Sequence, residues 1–160
     1  MKAITYHKAT LSDIETLVEY RIRFATELIG EQDPEAVTAL KKQMTGYFLT
    51  AIPENKCISF IGTCDGTVAG MGSLQVREQP GNFKNPSGKW GYIMSMYTVP
   101  EFRRRGVCQA ILNELVADAA NYGITAFELH ATPAGELVYK QSGFEIHNEP
   151  TYRKFIKPNE

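Results

Sequence analysis

Apolar positions recur every third or fourth residue in three long stretches of the chain and one short one. Ile14, Leu17, Val18, Ile22, Ala25, Leu28 and Ile29 form the first stripe, interrupted by one basic residue, Arg21. Such spacing predicts an amphipathic helix. Thr10 or Ser12 can cap its start and Gly30 ends it. Asp33-Pro34-Glu35 opens a second helix, with a capping aspartate, a proline in the first turn and then an acid. Val37, Leu40, Met44, Tyr47 and Phe48 carry its apolar face, and Pro53 stops it. A third stripe runs through Val107, Ile111, Leu115 and Ala119, widened by Ala110, Leu112 and Val116, and Gly123 suits its end. A short fourth helix is predicted over Ala134 to Ser142, between Pro133 and Gly143.

Between the helices the pattern alternates or runs unbroken. It predicts strands over Ile4 to Ala9, Cys57 to Cys64, Thr67 to Val76, Trp90 to Val99, Ile124 to Ala131, Phe144 to His147 and Tyr152 to Ile156. Asp65-Gly66 is a strong hairpin signal, because a primed two-residue turn needs positive φ at its centre. Gly62, Gly70 and Gly72 suggest a bulge or a close backbone approach. The polar run from Glu78 to Lys89 reads as an exposed connecting loop. The order predicts one α/β domain over residues 1–160, a mixed sheet with helices on its faces. In open sheets of this kind ligands bind at the carboxyl ends of strands, where neighbours diverge.

Composition changes this picture little. The chain is 43% hydrophobic and 22% charged, ordinary for a globular protein, and its net charge of −1 argues against bulk nucleic-acid binding. No apolar run approaches the ~20 residues of a membrane helix. Cys57, Cys64 and Cys108 are odd in number, widely spaced and accompanied by no recognisable leader. Free thiols in a reducing, cytoplasmic setting are expected, with no metal site.

The stretch Tyr97-Thr98-Val99-Pro100-Glu101-Phe102-Arg103-Arg104-Arg105-Gly106-Val107-Cys108-Gln109 carries the clearest chemistry. A strand closes at Val99-Pro100, and a helix opens at Gly106 beside three arginines. A helix N-terminus holds unpaired N–H groups and partial positive charge, so this loop suits a phosphate-bearing ligand. The alternative is an ordinary strand-to-helix turn with a solvated basic patch.

Two motifs, in order, resemble the GCN5-related N-acetyltransferase (GNAT) family. One is the Val-x-Pro strand ending followed by an Arg/Gln-x-x-Gly-x-Gly/Ala loop, here Thr98-Val99-Pro100 and Arg103-Arg104-Arg105-Gly106-Val107-Cys108. The other is Leu-Tyr-x-x-x-Gly-Phe, here Val138-Tyr139-Lys140-Gln141-Ser142-Gly143-Phe144. The resemblance implies the acyl-CoA N-acyltransferase fold, a mostly antiparallel central sheet with a V-shaped split between two parallel strands. It also implies acetyl-CoA as cosubstrate and a small-molecule or peptide amine as acceptor. Met96, Tyr97 and Thr98 would pair with the pantetheine arm, with the Tyr97 N–H for the oxyanion. Backbone from Arg104 to Gln109 would cradle the pyrophosphate, with the side chains of Arg103, Arg104 and Arg105 near the phosphates. Tyr139 would return a proton to the CoA thiolate.

The chain departs from the family pattern in three places. Cys108 stands at the last loop Gly/Ala, and Thr132 stands where an asparagine is frequent. No glutamate occupies the central strand, where Tyr92, Met94 and Ser95 stand instead. His130 and Glu128 are the candidate bases, with Ser95 or Tyr92 holding a water as the alternative. Glu27, Glu31 and Glu35 fall where family members line the acceptor side. Family members are often dimers, which leaves a homodimer open. A non-catalytic acyl-CoA-binding or sensing module is the competing reading.

Overall fold

A computed structural model describes residues 2–158, which divide after His130 into a large first unit and a small second one. The first unit holds β1 (Thr5–Lys8), α1 (Ile14–Ile29), α2 (Pro34–Ala51), β2 (Cys57–Cys64), β3 (Thr67–Glu78), β4 (Lys89–Thr98), α3 (Val107–Ala120) and β5 (Phe127–Leu129). Local chemistry sets the helix starts. The Thr10 N–H donates to the Asp13 carboxylate at 2.8 Å ahead of α1, and the Asp33 carboxylate accepts the Ala36 N–H at 3.0 Å ahead of α2.

The five strands lie in sequence order. Neighbours from β1 to β4 are antiparallel, and β5 runs parallel to β4. The β2–β3 turn has Asp65 at φ 50° and Gly66 at φ 76°, as a primed turn requires. Helices cover both faces. Leu17, Val18, Met44 and Phe48 of α1 and α2 bury themselves against Ile61, Met71 and Tyr97. On the other face Ile111 and Leu115 of α3 lie over Gly72. Each of these fully buried aliphatic side chains contributes about 2 kcal/mol.

Two features of β4 position the candidate site. Its ladder with β5 covers Gly91–Phe127, Tyr92–Glu128 and Ile93–Leu129 and then ends, although β4 itself continues to Thr98. Farther along, Met71 faces Tyr97 while Ser73 faces Met94, so Ser95 and Met96 together oppose Gly72. This is a β-bulge, with Ser95 at φ 56°. Tyr97 packs against Tyr20 and Phe24 of α1, whereas the Met96 sulfur lies over Gly72 beside Ile111.

The expected strand over Ile124 to Ala131 is shorter than its pattern. The Ile124 N–H bonds back to Ala119 O at 3.3 Å, which commits it to the end of α3, and beyond Leu129 β4 has diverged. The expected helix from Ala134 starts later, as α4 (Glu136–Gln141) in the second unit. The two closing strands, Phe144 to His147 and Tyr152 to Ile156, do not form among the described residues. Their apolar residues Ile146, Tyr152, Phe155 and Ile156 are exposed. Alternation becomes a strand only where a partner edge completes the ladder, and no such ladder forms over these segments among the described residues.

Candidate active site

After β4, Pro100–Phe102 makes one 3-10 turn, and the arginine loop leads to α3. The three arginines differ. Arg103 is tied down: its Nη2 meets both Glu27 carboxylate oxygens, at 2.5 and 2.7 Å, and its Nε donates to Thr98 O at 3.1 Å. Arg105 donates to Lys2 O at 3.1 Å and lies over the Phe102 ring. Arg104 is exposed, at φ 59°, and makes no ion pair among the described residues. Among the described residues, Arg103 and Arg105 are held by Glu27, Thr98 and Lys2, and the Arg104 side chain has no such tie.

The backbone fits the expected cradle better than the side chains do. Gly106 sits at φ 76° with open space where a Cβ would be, and among the described residues no side-chain cap bond closes the start of α3. The first rung of the helix ladder is Ala110 N–H to Gly106 O at 2.9 Å, so the amides of Val107 and Cys108 precede it. An oxyanion such as pyrophosphate suits such a turn. Cys108 is half-buried, and burial pushes its thiol pKa up, which keeps a neutral, compact group beside the cradle. The Gln109 side chain donates to Asn113 at 3.0 Å.

The open half of β4 corrects one expectation. The Val99 N–H bonds Ala69 O at 3.0 Å, and Tyr97 faces Met71 two residues earlier. Antiparallel alternation therefore turns the Tyr97 N–H toward β3 and the Thr98 N–H toward the edge that β5 has left. The oxyanion donor expected at Tyr97 is thus misassigned. Burial, then the Glu27 carboxylate, pushes the Tyr97 hydroxyl pKa up, so it stays neutral.

Sequence reasoning missed Arg21. Its Nη1 donates to the Ser95 Oγ at the bulge. The visible signal was a basic residue inside the apolar stripe of α1. Around it the α1/α2 side of the sheet is polar and mostly neutral. Ser59 and Ser73 hydroxyls are 2.7 Å apart and both buried. Burial, then Cys57, raises the Tyr47 hydroxyl to about 12. Farther out, Tyr92 carries the Arg77 guanidinium over its ring at 3.7 Å and the His130 ring edge-on at 5.8 Å. His130 and Glu128 are exposed, and Glu128 lies beside Tyr92 in the ladder. Glu31 and Glu35 are exposed, while Glu27 is the partner of Arg103.

In the second unit, Tyr139 sits on α4, and the Gly-Phe that follows explains the motif. The Gly143 N–H donates to Lys140 O at 3.2 Å, and the Phe144 N–H to Tyr139 O at 3.0 Å. Gly143 has φ 85°, and the Phe144 ring meets Tyr139 at 6.1 Å. This is a Schellman end, which needs glycine for its left-handed residue and an apolar residue next. It fixes the Tyr139 ring. Thr132 O accepts the Gly135 N–H at 3.0 Å, ahead of α4.

A family model described as the acetyltransferase (GNAT) family matches residues 17–144. The chain belongs to the GNAT acetyltransferase family. Solved structures agree. A predicted acetyltransferase from Clostridium acetobutylicum, crystallised with acetyl-CoA, is 28% identical, with TM-score 0.86 over 95% of this chain and 96% of that one. A GCN5-related N-acetyltransferase from Ralstonia eutropha is 24% identical, with TM-score 0.82 over 95% and 99%. An aminoglycoside N-acetyltransferase in complex with CoA shares the fold at 20% identity, with TM-score 0.69 over 96% of both chains. No curated protein sequence matches. GNAT acetyltransferases use acetyl-CoA as cosubstrate. Among the described residues, no three His, Cys, Asp or Glu cluster to hold a metal, and no helix is long and apolar enough to cross a membrane.

Proposed function

We propose that this GNAT domain, one domain over residues 1–160, transfers the acetyl group of acetyl-CoA to a primary amine of a small molecule or peptide. The observation that carries the reading is the divergence of β4 from β5 after Ile93, beside an uncapped α3. A strand edge with unused pairing groups suits the amide-rich pantetheine arm, and the helix terminus suits the pyrophosphate. Met96, Tyr97 and Thr98 supply the edge. Backbone from Arg104 to Gln109 supplies the cradle, with the Arg104 side chain beside it and Thr132 as a further CoA contact.

The amine attacks the thioester carbonyl directly in a ternary complex, and the N–H on the open edge, that of Thr98, stabilises the oxyanion. Collapse breaks the C–S bond. Tyr139, assigned by its motif, gives its proton to the departing thiolate. His130, edge-on to Tyr92, accepts the proton from the amine in place of the central-strand glutamate that many members carry. The three free thiols suit a cytoplasmic location, and a homodimer is the assembly we expect.

Calorimetry with acetyl-CoA, together with a CoA-thiol release assay over a panel of amines, tests this. Binding with amine-dependent thiol release is the expected result. Binding without release from any amine would favour the alternative, a non-catalytic acyl-CoA-binding or sensing module, which the missing strand carboxylate recommends. No binding would sink both.

A further inference from the structure

We propose that Arg21 binds a carboxylate on the acceptor, so that preferred acceptors are small amines carrying a carboxylate. This rests on the acetyl-transfer reading above and names its substrate class. Arg21 projects from the apolar stripe of α1 toward the sheet, is half-buried, and donates to Ser95 Oγ at the β4 bulge. That bulge lies on the stretch of β4 that β5 has left, where the thioester would sit. A guanidinium has five N–H donors, and one hydroxyl engages only part of the fork.

The other arginines of this part of the chain show what Arg21 lacks. Arg23 pairs with Glu19 at 2.5 Å, and Arg103 pairs with Glu27 at 2.5 Å. Arg21 pairs with no carboxylate among the described residues. Its neighbours on this face are neutral: Ser95, the Tyr47 hydroxyl, which burial, then Cys57, holds protonated, and the buried Cys57 thiol. Arg77, farther out on Tyr92, adds a second cation of the same sign. A half-buried cation without a counter-ion is costly, and a ligand that brings the counter-ion recovers that cost on binding. The planar fork of arginine matches a carboxylate in two parallel hydrogen bonds. With its carboxylate held at Arg21, the acceptor's amine is left to reach the β4 edge.

The test compares matched acceptors: α-amino acids and β-alanine, the same compounds as amides, and phosphoethanolamine, each at saturating acetyl-CoA. In the wild type the acids are expected to exceed their amides by about 10-fold or more in kcat/KM, mostly through KM. In Arg21→Gln this ratio falls to within about twofold, and in Arg21→Lys, which lacks the fork, it is intermediate. Ser95→Ala, which leaves Arg21 in place but unties it, lowers the ratio and serves if Arg21→Gln fails to fold. Calorimetry checks that each variant still binds acetyl-CoA. Equal turnover of acids and amides by the wild type, or an acid preference that survives Arg21→Gln, would overturn the assignment while acetyl transfer stands. A preference for phosphoethanolamine over every acid would overturn the carboxylate. Absence of turnover with every amine would instead remove the transfer reading, and this inference with it.

Discussion

β4 is two different strands joined at one bulge. From Gly91 to Ile93 it is paired on both sides, with β3 antiparallel and β5 parallel. From Met94 to Thr98 it keeps β3 and loses β5. The closed half has Gly91 pressed against Leu74 and Phe127, and it serves packing. The open half has a left-handed Ser95, a guanidinium on its hydroxyl and no β5 partner, and it is the half we propose for acetyl-CoA. One continuous strand thus holds a packed half and an unpaired edge in fixed relation. The left-handed Ser95 lies just past the point where β4 parts from β5.

Substitutions can break this contrast from either side. The largest effect is expected just past the open half. Gly106→Val puts a β-branched residue at φ 76° at the start of α3, and acetyl-CoA affinity should fall about 100-fold or more, read by calorimetry. Ser95→Val combines strain at φ 56° with loss of the Arg21 bond and should cost about 2–3 kcal/mol in denaturant unfolding. Ser95→Gly, which relieves the strain, should stay within about 1 kcal/mol of wild type. In the closed half, Gly91→Val meets Phe127 and Leu74 at under 3 Å and should cost about 2 kcal/mol, while acetyl-CoA affinity stays within about twofold. A loss of affinity there as large as at Gly106 would erase the division.

The smallest effect lies far from β4. Burial raises the Asp13 carboxyl, but the Thr10 and His7 bonds more than undo this, so its folded pKa lies below the ordinary value of 3.8. A carboxyl lowered on folding adds stability above its unfolded pKa and loses it as pH falls through the folded one. Asp13→Asn should therefore lower stability at neutral pH by no more than about 1 kcal/mol, and flatten the acid limb below about pH 4. Denaturant midpoints measured from pH 6 to pH 2 read both.

Much of this was legible in the chain. Helix boundaries followed Asp33-Pro34, Gly30 and Gly106 because caps are local chemistry. β2 matched its predicted span because both its ends are turns. The closing strands were not legible in outcome, since pairing is decided by a partner edge and not by the segment itself. The arginines were misread as a group for a similar reason: Glu27, 76 residues away from Arg103, decides where that guanidinium goes. Arg21 was visible but unexplained until α1 lay over β4.

The bulge also acts as a change of phase. Before it, Tyr92 and Met94 share the face toward α1 and α2. After it, that face belongs to Tyr97, and the even-numbered Met96 has crossed to α3. One extra residue thus lets the two halves of the strand be read in opposite frames. Deleting that residue would restore plain alternation with Tyr97 still toward α1, whereas keeping it in a regular, unbulged ladder would send Tyr97 toward α3 and turn Met96 toward α1.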